Sequence, residues 1–221
     1  MNYNSFHRLL RNKYALSTVV TTLIILVISV LLASVVTYFA INVVSTRVQE
    51  ESLSLSDAHI FLNPAAAAGS PAYSQASLKV INTGGRDVVI TKIAVRGQDN
   101  AWTSWVAGPT DSQFIVYAVT DSPIQTDMYF QPTGITVPTT DPATTTVTPL
   151  TLSLLGTGTT DQFSFSYATT DLVLKSGYSL LVYIVNPDSI TINDIGLTVS
   201  ITLYTAQAMY YQECNVQAYT A

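Results

Sequence analysis

Two hydrophobic patterns divide the chain. From Leu16 to Val44 the sequence reads LSTVVTTLIILVISVLLASVVTYFAINVV, with no charged residue between Lys13 and Arg47 and with nineteen large apolar side chains spread over every helical face. Such a helix has no single stripe for a core to cover, so it has to be buried whole, in lipid or among its own kind. These 29 residues make a helix about 44 Å long at a rise of ~1.5 Å per residue, more than the ~20 residues a bilayer crossing needs. Leaving it in water would cost tens of kcal/mol, at roughly 1.5–3 kcal/mol for each large side chain.

Beyond this run the period changes from helical to two. Gln162–Tyr167 alternates Phe163, Phe165 and Tyr167 with serines, and Leu197–Tyr204 sets Leu197, Val199, Ile201 and Leu203 against Thr198, Ser200 and Thr202. Alternation with one apolar face predicts half-buried strands. Tyr178–Val185 is apolar on both parities and predicts a central strand. Ser77–Ile81 and Asp87–Arg96 flank Asn82-Thr83-Gly84-Gly85-Arg86, whose paired glycines predict a tight hairpin with positive φ. Asn186-Pro187-Asp188 marks a further turn. Between the two regions, Ser45–Asp57 brings the first charges after the apolar run, and Leu53 and Leu55 alternate with serines there, so the helix is expected to end near Glu51 and extended chain to begin. Short strands without any helical period predict a β-sandwich for the roughly 170 residues after Ser52, enough for one domain.

What precedes the apolar run decides how it is read. A secretory signal has a core of about 7–15 apolar residues followed by small residues at the cleavage site. Here the order is reversed: Arg8, Arg11 and Lys13, then Tyr14, then the small Ala15, and only then the long run. This arrangement resembles the class III leader of archaeal type IV pilin-like proteins, in which a prepilin peptidase, a membrane aspartyl protease, cuts on the cytoplasmic side and leaves the helix on the mature chain. The resemblance covers about Arg8 to Val44. It implies cleavage between Ala15 and Leu16, with Lys13, Ala15 and Leu16 as the recognised positions. Two departures stand out: Tyr14 occupies the place that usually holds Lys or Arg, and Val20 stands at the fifth mature position, where bacterial pilins carry Glu. The second departure favours an archaeal source.

The same residues also fit a single-pass anchor that is never cut. Arg8, Arg11 and Lys13, against Arg47, Glu50 and Glu51 on the far flank, put the N-terminus in the cytoplasm in either case. A row of small residues, Ser29, Ala33 and Thr37 at a spacing of four, would let helices approach closely and marks a packing face.

Composition narrows the head's chemistry. Charged residues make up 10% of the chain, against about 25% in soluble domains, and the net charge is -5. With so few basic groups, no nucleic-acid partner is expected. His7 lies in the leader, which leaves His59 alone beside Ile60 and Phe61, and no nucleophile elbow or dense acidic calcium loop is present. No catalytic residues, metal or cofactor are therefore expected, and the chain is not read as an enzyme. Cys214 is the single cysteine, so it has no intramolecular disulfide partner; its parity with Tyr210 and Val216 predicts a buried thiol. The Pro132–Pro149 segment, with Thr139, Thr140, Thr144, Thr145 and Thr146, is expected as an exposed loop open to O-linked sugars. No Asn-x-Ser/Thr sequon occurs.

Taken together, these observations predict an α+β chain: a leader over 1–15, a hydrophobic N-terminal helix over 16–51, and an all-β, immunoglobulin-like sandwich head over 52–221. The resemblance implies a structural subunit of an extracellular type IV pilus-like filament, with helices bundled in the core and heads outside, serving adhesion or cell contact. Its partners would be other copies of the chain, the prepilin peptidase, a pilus assembly ATPase and a membrane platform protein, and the precursor would lie in the cytoplasmic membrane. Two alternatives stay open: an archaellin of the motility filament, and a single-pass membrane-anchored surface binding protein.

Overall fold

The computed structural model describes residues 13–100, 103–104, 113–122, 124, 126–131, 133–138, 149–154 and 162–219. The chain divides into two compact units between Val48 and Gln49. The described part of the first is a single helix, α1 (Lys13–Gln49), 37 residues long. Every described side chain of α1 from Ser17 to Thr46 is exposed within the isolated chain, as a helix apolar on all sides must be when it has no partner.

The second unit is a large, mostly antiparallel β-sheet. Its strands among the described residues are β1 (Leu53–Leu62), β2 (Ser74–Asn82), β3 (Val88–Val95), β4 (Gln98–Asn100), β5 (Thr103–Ser104), β6 (Gln113–Thr120), β7 (Leu150–Ser153), β8 (Gln162–Tyr167), β9 (Leu172–Leu174), β10 (Ser179–Val185), β11 (Thr198–Thr205) and β12 (Met209–Ala218). They join in the order β4-β3-β11-β12-β1-β2-β10-β6-β8-β7, with β9 beside β3 and β5 beside β6. Among these described strands the one parallel pairing is β1 with β12, over Ile60–Leu62 and Val216–Ala218.

Strand β10 is buried along its whole length, as its two-sided apolar sequence predicts. Its even positions, Leu180, Val182 and Ile184, enter one core with Ala76, Leu78 and Val80 of β2 and with Ile93, Val95, Ile201 and Leu203 of β3 and β11. In a flat sheet β10 and β11 would lie about 19 Å apart, four spacings of ~4.8 Å. Because one core nonetheless joins side chains of β3 and β11 to those of β10, and the described part of this unit holds no helical layer to cover them, the sheet must curl over on itself. The odd positions of β10, Leu181, Tyr183 and Val185, belong to a second core with Phe114, Val116, Leu152 and Phe165.

Outside the strands, the described residues 124, 126–131 and 133–137 help close the second core, with Met128 and Ile135. Their backbone is held by polar side chains that the sheet buries. Gln75 donates through Nε2 to the Gln131 carbonyl at 2.8 Å and accepts the Gln131 N–H at 2.9 Å, while the Tyr183 hydroxyl donates to the Tyr129 carbonyl at 2.8 Å. Burial pushes the Tyr183 phenol above its ordinary range. Lys79, on the same face of β2, pairs with Asp57, which sits with φ 49° at a bulge in β1. Buried polar groups need such partners, since an unpaired one costs about 1–3 kcal/mol.

Two expectations need correction. The segment Asn82–Arg86 is not a hairpin: β2 pairs with β1 and β10, whereas β3 pairs with β11, β4 and β9. Neither Gly84 nor Gly85 has positive φ; that conformation falls at Arg96 and Gly97, in the true hairpin between β3 and β4. Cys214 is only half-buried, although it packs against the first core and burial pushes its thiol up to about 11. Most of the Thr-rich segment, including Thr139, Thr140, Thr144, Thr145 and Thr146, lies outside the described residues, as does His7.

The β10–β11 connection is pinned by Asp194, which is buried, accepts the Thr191 N–H at 2.7 Å and the Thr191 hydroxyl at 2.8 Å, and takes an ion pair from Arg96 at 2.6 Å. The Thr191 N–H foremost, with the Thr191 hydroxyl and Arg96, holds its carboxyl below the ordinary 3.8 against the opposing effect of burial. A folded-state value below the unfolded one means that the stabilisation is complete above the unfolded value and is lost as pH falls through the folded one. Acid melts should therefore show a stability loss below the ordinary carboxylate value that Asp194→Asn reduces; identical acid limbs for the two proteins would refute this role.

Candidate functional site

In the head, no described cluster of three His, Cys, Asp or Glu side chains could hold a metal ion. His59 stands on β1 opposite Ser77 and stacks on Phe61, with ring centroids 5.5 Å apart, and has no carboxylate partner among the described residues. The features with distinctive geometry are α1 and the point where the chain enters the sheet.

The helix is long and apolar enough, by length and composition, to cross a membrane, over Ser17–Thr46. Lys13, Ala15 and Leu16 lie in its first turn, and residues 1–12 of the expected leader are outside the described residues. Ser29, Ala33 and Thr37 fall on one side at intervals of one turn and are all exposed. Their hydroxyls are already occupied: Ser29 donates to the Ile25 carbonyl at 2.7 Å and Thr37 to the Ala33 carbonyl at 2.8 Å. Ser34 does the same with the Val30 carbonyl. The row thus offers a neighbour small size and no free donor, which suits close backbone approach.

The entry to the sheet is a clasp that the sequence pattern did not reveal. Ser52 offers its carbonyl to the Thr83 N–H at 2.9 Å and the Gly84 N–H at 3.0 Å, and its hydroxyl lies 3.0 Å from that of Thr83. On the other side, the Thr205 hydroxyl donates to the Glu51 carboxylate and the Tyr210 hydroxyl to the Glu51 carbonyl at 3.4 Å. Glu51 is therefore engaged within its own chain. Asn82, almost fully buried, shapes the turn by donating to the Arg86 and Leu174 carbonyls and accepting the Gly84 N–H. Gly84 serves close approach: a Cβ there would stand 2.7 Å from the Glu50 carbonyl oxygen and 2.8 Å from the Ser52 nitrogen. The double glycine was visible in the sequence, but only tertiary contact could show that it faces the start of β1, far earlier in the chain.

Compared with protein-family models and with curated proteins, the chain matches none. The class that fold and site define is an N-terminal apolar helix joined to a strand-built domain.

Gly84→Ala should lower the stability of the strand-built unit by about 1–3 kcal/mol, because the obstructing atoms are backbone and cannot swing aside. Denaturant melts supply the magnitude, and hydrogen exchange at the Thr83 and Gly84 amides should quicken. Unchanged exchange at those two amides would show that the clasp is not closed in solution.

Proposed function

We propose that this chain is a structural subunit of an archaeal type IV pilus-like surface filament, with α1 helices bundled in the core and immunoglobulin-like β-sandwich heads forming the outer wall. The observation that carries the reading is α1 itself: a helix that presents large apolar side chains on all sides along Ser17–Thr46 needs other helices or lipid around it. The basic residues ahead of Ala15 add the cut that converts one environment into the other, since Arg8, Arg11 and Lys13 resist leaving the cytoplasmic side. The curled sheet with a core inside it supports the sandwich reading of the head. Leu16-Ser17-Thr18 at the mature start, in place of a Gly-rich end, favours a pilus over an archaellin.

On this reading the precursor sits in the cytoplasmic membrane, a prepilin peptidase trims it, and an assembly ATPase with its platform protein moves helices from bilayer to bundle. The Thr- and Ser-rich heads then face outward and mediate adhesion or cell contact.

N-terminal sequencing of protein sheared from the cell surface should begin at Leu16, and replacing Ala15 by a bulky residue should leave an uncut chain in the membrane. An intact Met1 on surface protein would support the uncleaved anchor and end the filament reading. Ala33→Leu should cut filament yield severalfold while membrane insertion stays normal, because a large side chain separates backbones that small ones bring together; equal yield would move the packing face elsewhere.

A further inference from the structure

Between Leu23 and Val44 the helix carries five side chains with polar groups: Ser29, Ser34, Thr37, Tyr38 and Asn42. The first three turn their hydroxyls back onto their own backbone. Asn42 is different. Its carbonyl accepts the Thr46 hydroxyl at 2.9 Å, but its side-chain amide meets no donor or acceptor among the described residues, and the residue is exposed. An amide presents two donors and an acceptor at once and cannot satisfy them on its own helix in the way a hydroxyl does. Tyr38, one turn earlier, has a long ring that can carry its hydroxyl to the edge of an apolar layer; the short side chain of Asn42 has no such reach.

We propose that Asn42 hydrogen-bonds to the α1 helix of a second copy of this chain and thereby selects which helix faces meet in the bundle. This rests on the filament reading of α1. In a membrane the amide has a way out: Asn42 lies about 39 Å along the helix from Leu16, near the end of an apolar run longer than the ~30 Å hydrocarbon layer and five residues before Arg47, so the headgroups are within its reach. In a bundle built from identical apolar helices, as the filament reading has it, the amide is set against other copies of α1, whose polar groups can pair with it. A lone polar side chain in an apolar helix seam is a known way of fixing register and partner number at some cost in stability.

The sign of one substitution separates this role from plain packing. Asn42→Leu adds apolar surface, so it should strengthen a purely hydrophobic contact, whereas here it removes the pairing group. Filaments of the full chain, sheared from cells, are heated in mild detergent and scored for release of free subunits. Asn42→Leu and Asn42→Ala should each release subunits more readily than the unaltered chain, by about threefold to twentyfold in the association constant, the range for one interhelical hydrogen bond. Asn42→Gln, which keeps the amide, should recover part of the loss. The membrane-bound fraction of each precursor should stay constant, showing that insertion is intact. Filaments of the Asn42→Leu variant that resist detergent as well as or better than the original would overturn the proposal, as would a change confined to membrane retention, which would place the amide's role at the lipid surface. If the unaltered chain yields no filaments, the filament reading falls and this inference with it; if it does and Asn42→Leu changes nothing, only the inference falls.

Discussion

The burial of β10 on both faces is the constraint from which the head follows. A strand with Leu181, Tyr183 and Val185 on one side and Leu180, Val182 and Ile184 on the other needs cover above and below. The far strands of the same sheet curl round to cover one side, and β7, β8 and the described residues of 124–137 cover the other. The described residues of that stretch join no ladder, so a buried carbonyl there needs a partner, and the sheet supplies several. Gln75, Lys79 and Tyr183 do so, which explains polar side chains in places where a core would otherwise take Leu or Val.

How much of this was legible depends on whether the signal was local. The strands Gln162–Tyr167 and Ser179–Val185 stand where alternation and two-sided burial placed them. The apolar helix was equally plain, because composition alone determines that it has no polar face. Pairing partners were another matter. Asn82–Arg86 has the residues of a tight hairpin, yet β2 pairs with β1 and with β10, the latter far further along the chain, and no local residue signals that choice. Gln75 carried no readable signal, since Gln131 lies far along the chain, and of the Asn82 bonds only those to Gly84 and Arg86 are local while the one to Leu174 is not.

The features of α1 proposed for assembly were partly legible. Spacing alone brings out Ser29, Ala33 and Thr37; it cannot say that the two hydroxyls are already spent on the helix backbone, which leaves them as spacers and not as donors. By the same comparison, Asn42 emerges only when every other polar group nearby is accounted for.

The clasp at Glu50–Ser52 has a mechanical consequence. A pull arriving along the chain from α1 meets the Ser52–Thr83–Gly84 and Glu51–Thr205 bonds before it reaches the ladder that joins β1 to β2, which runs from Leu53–Asn82 to Leu62–Ser74. Those few bonds stand ahead of a longer, cooperative ladder along the chain, so tension on the N-terminal end of the head reaches the clasp first.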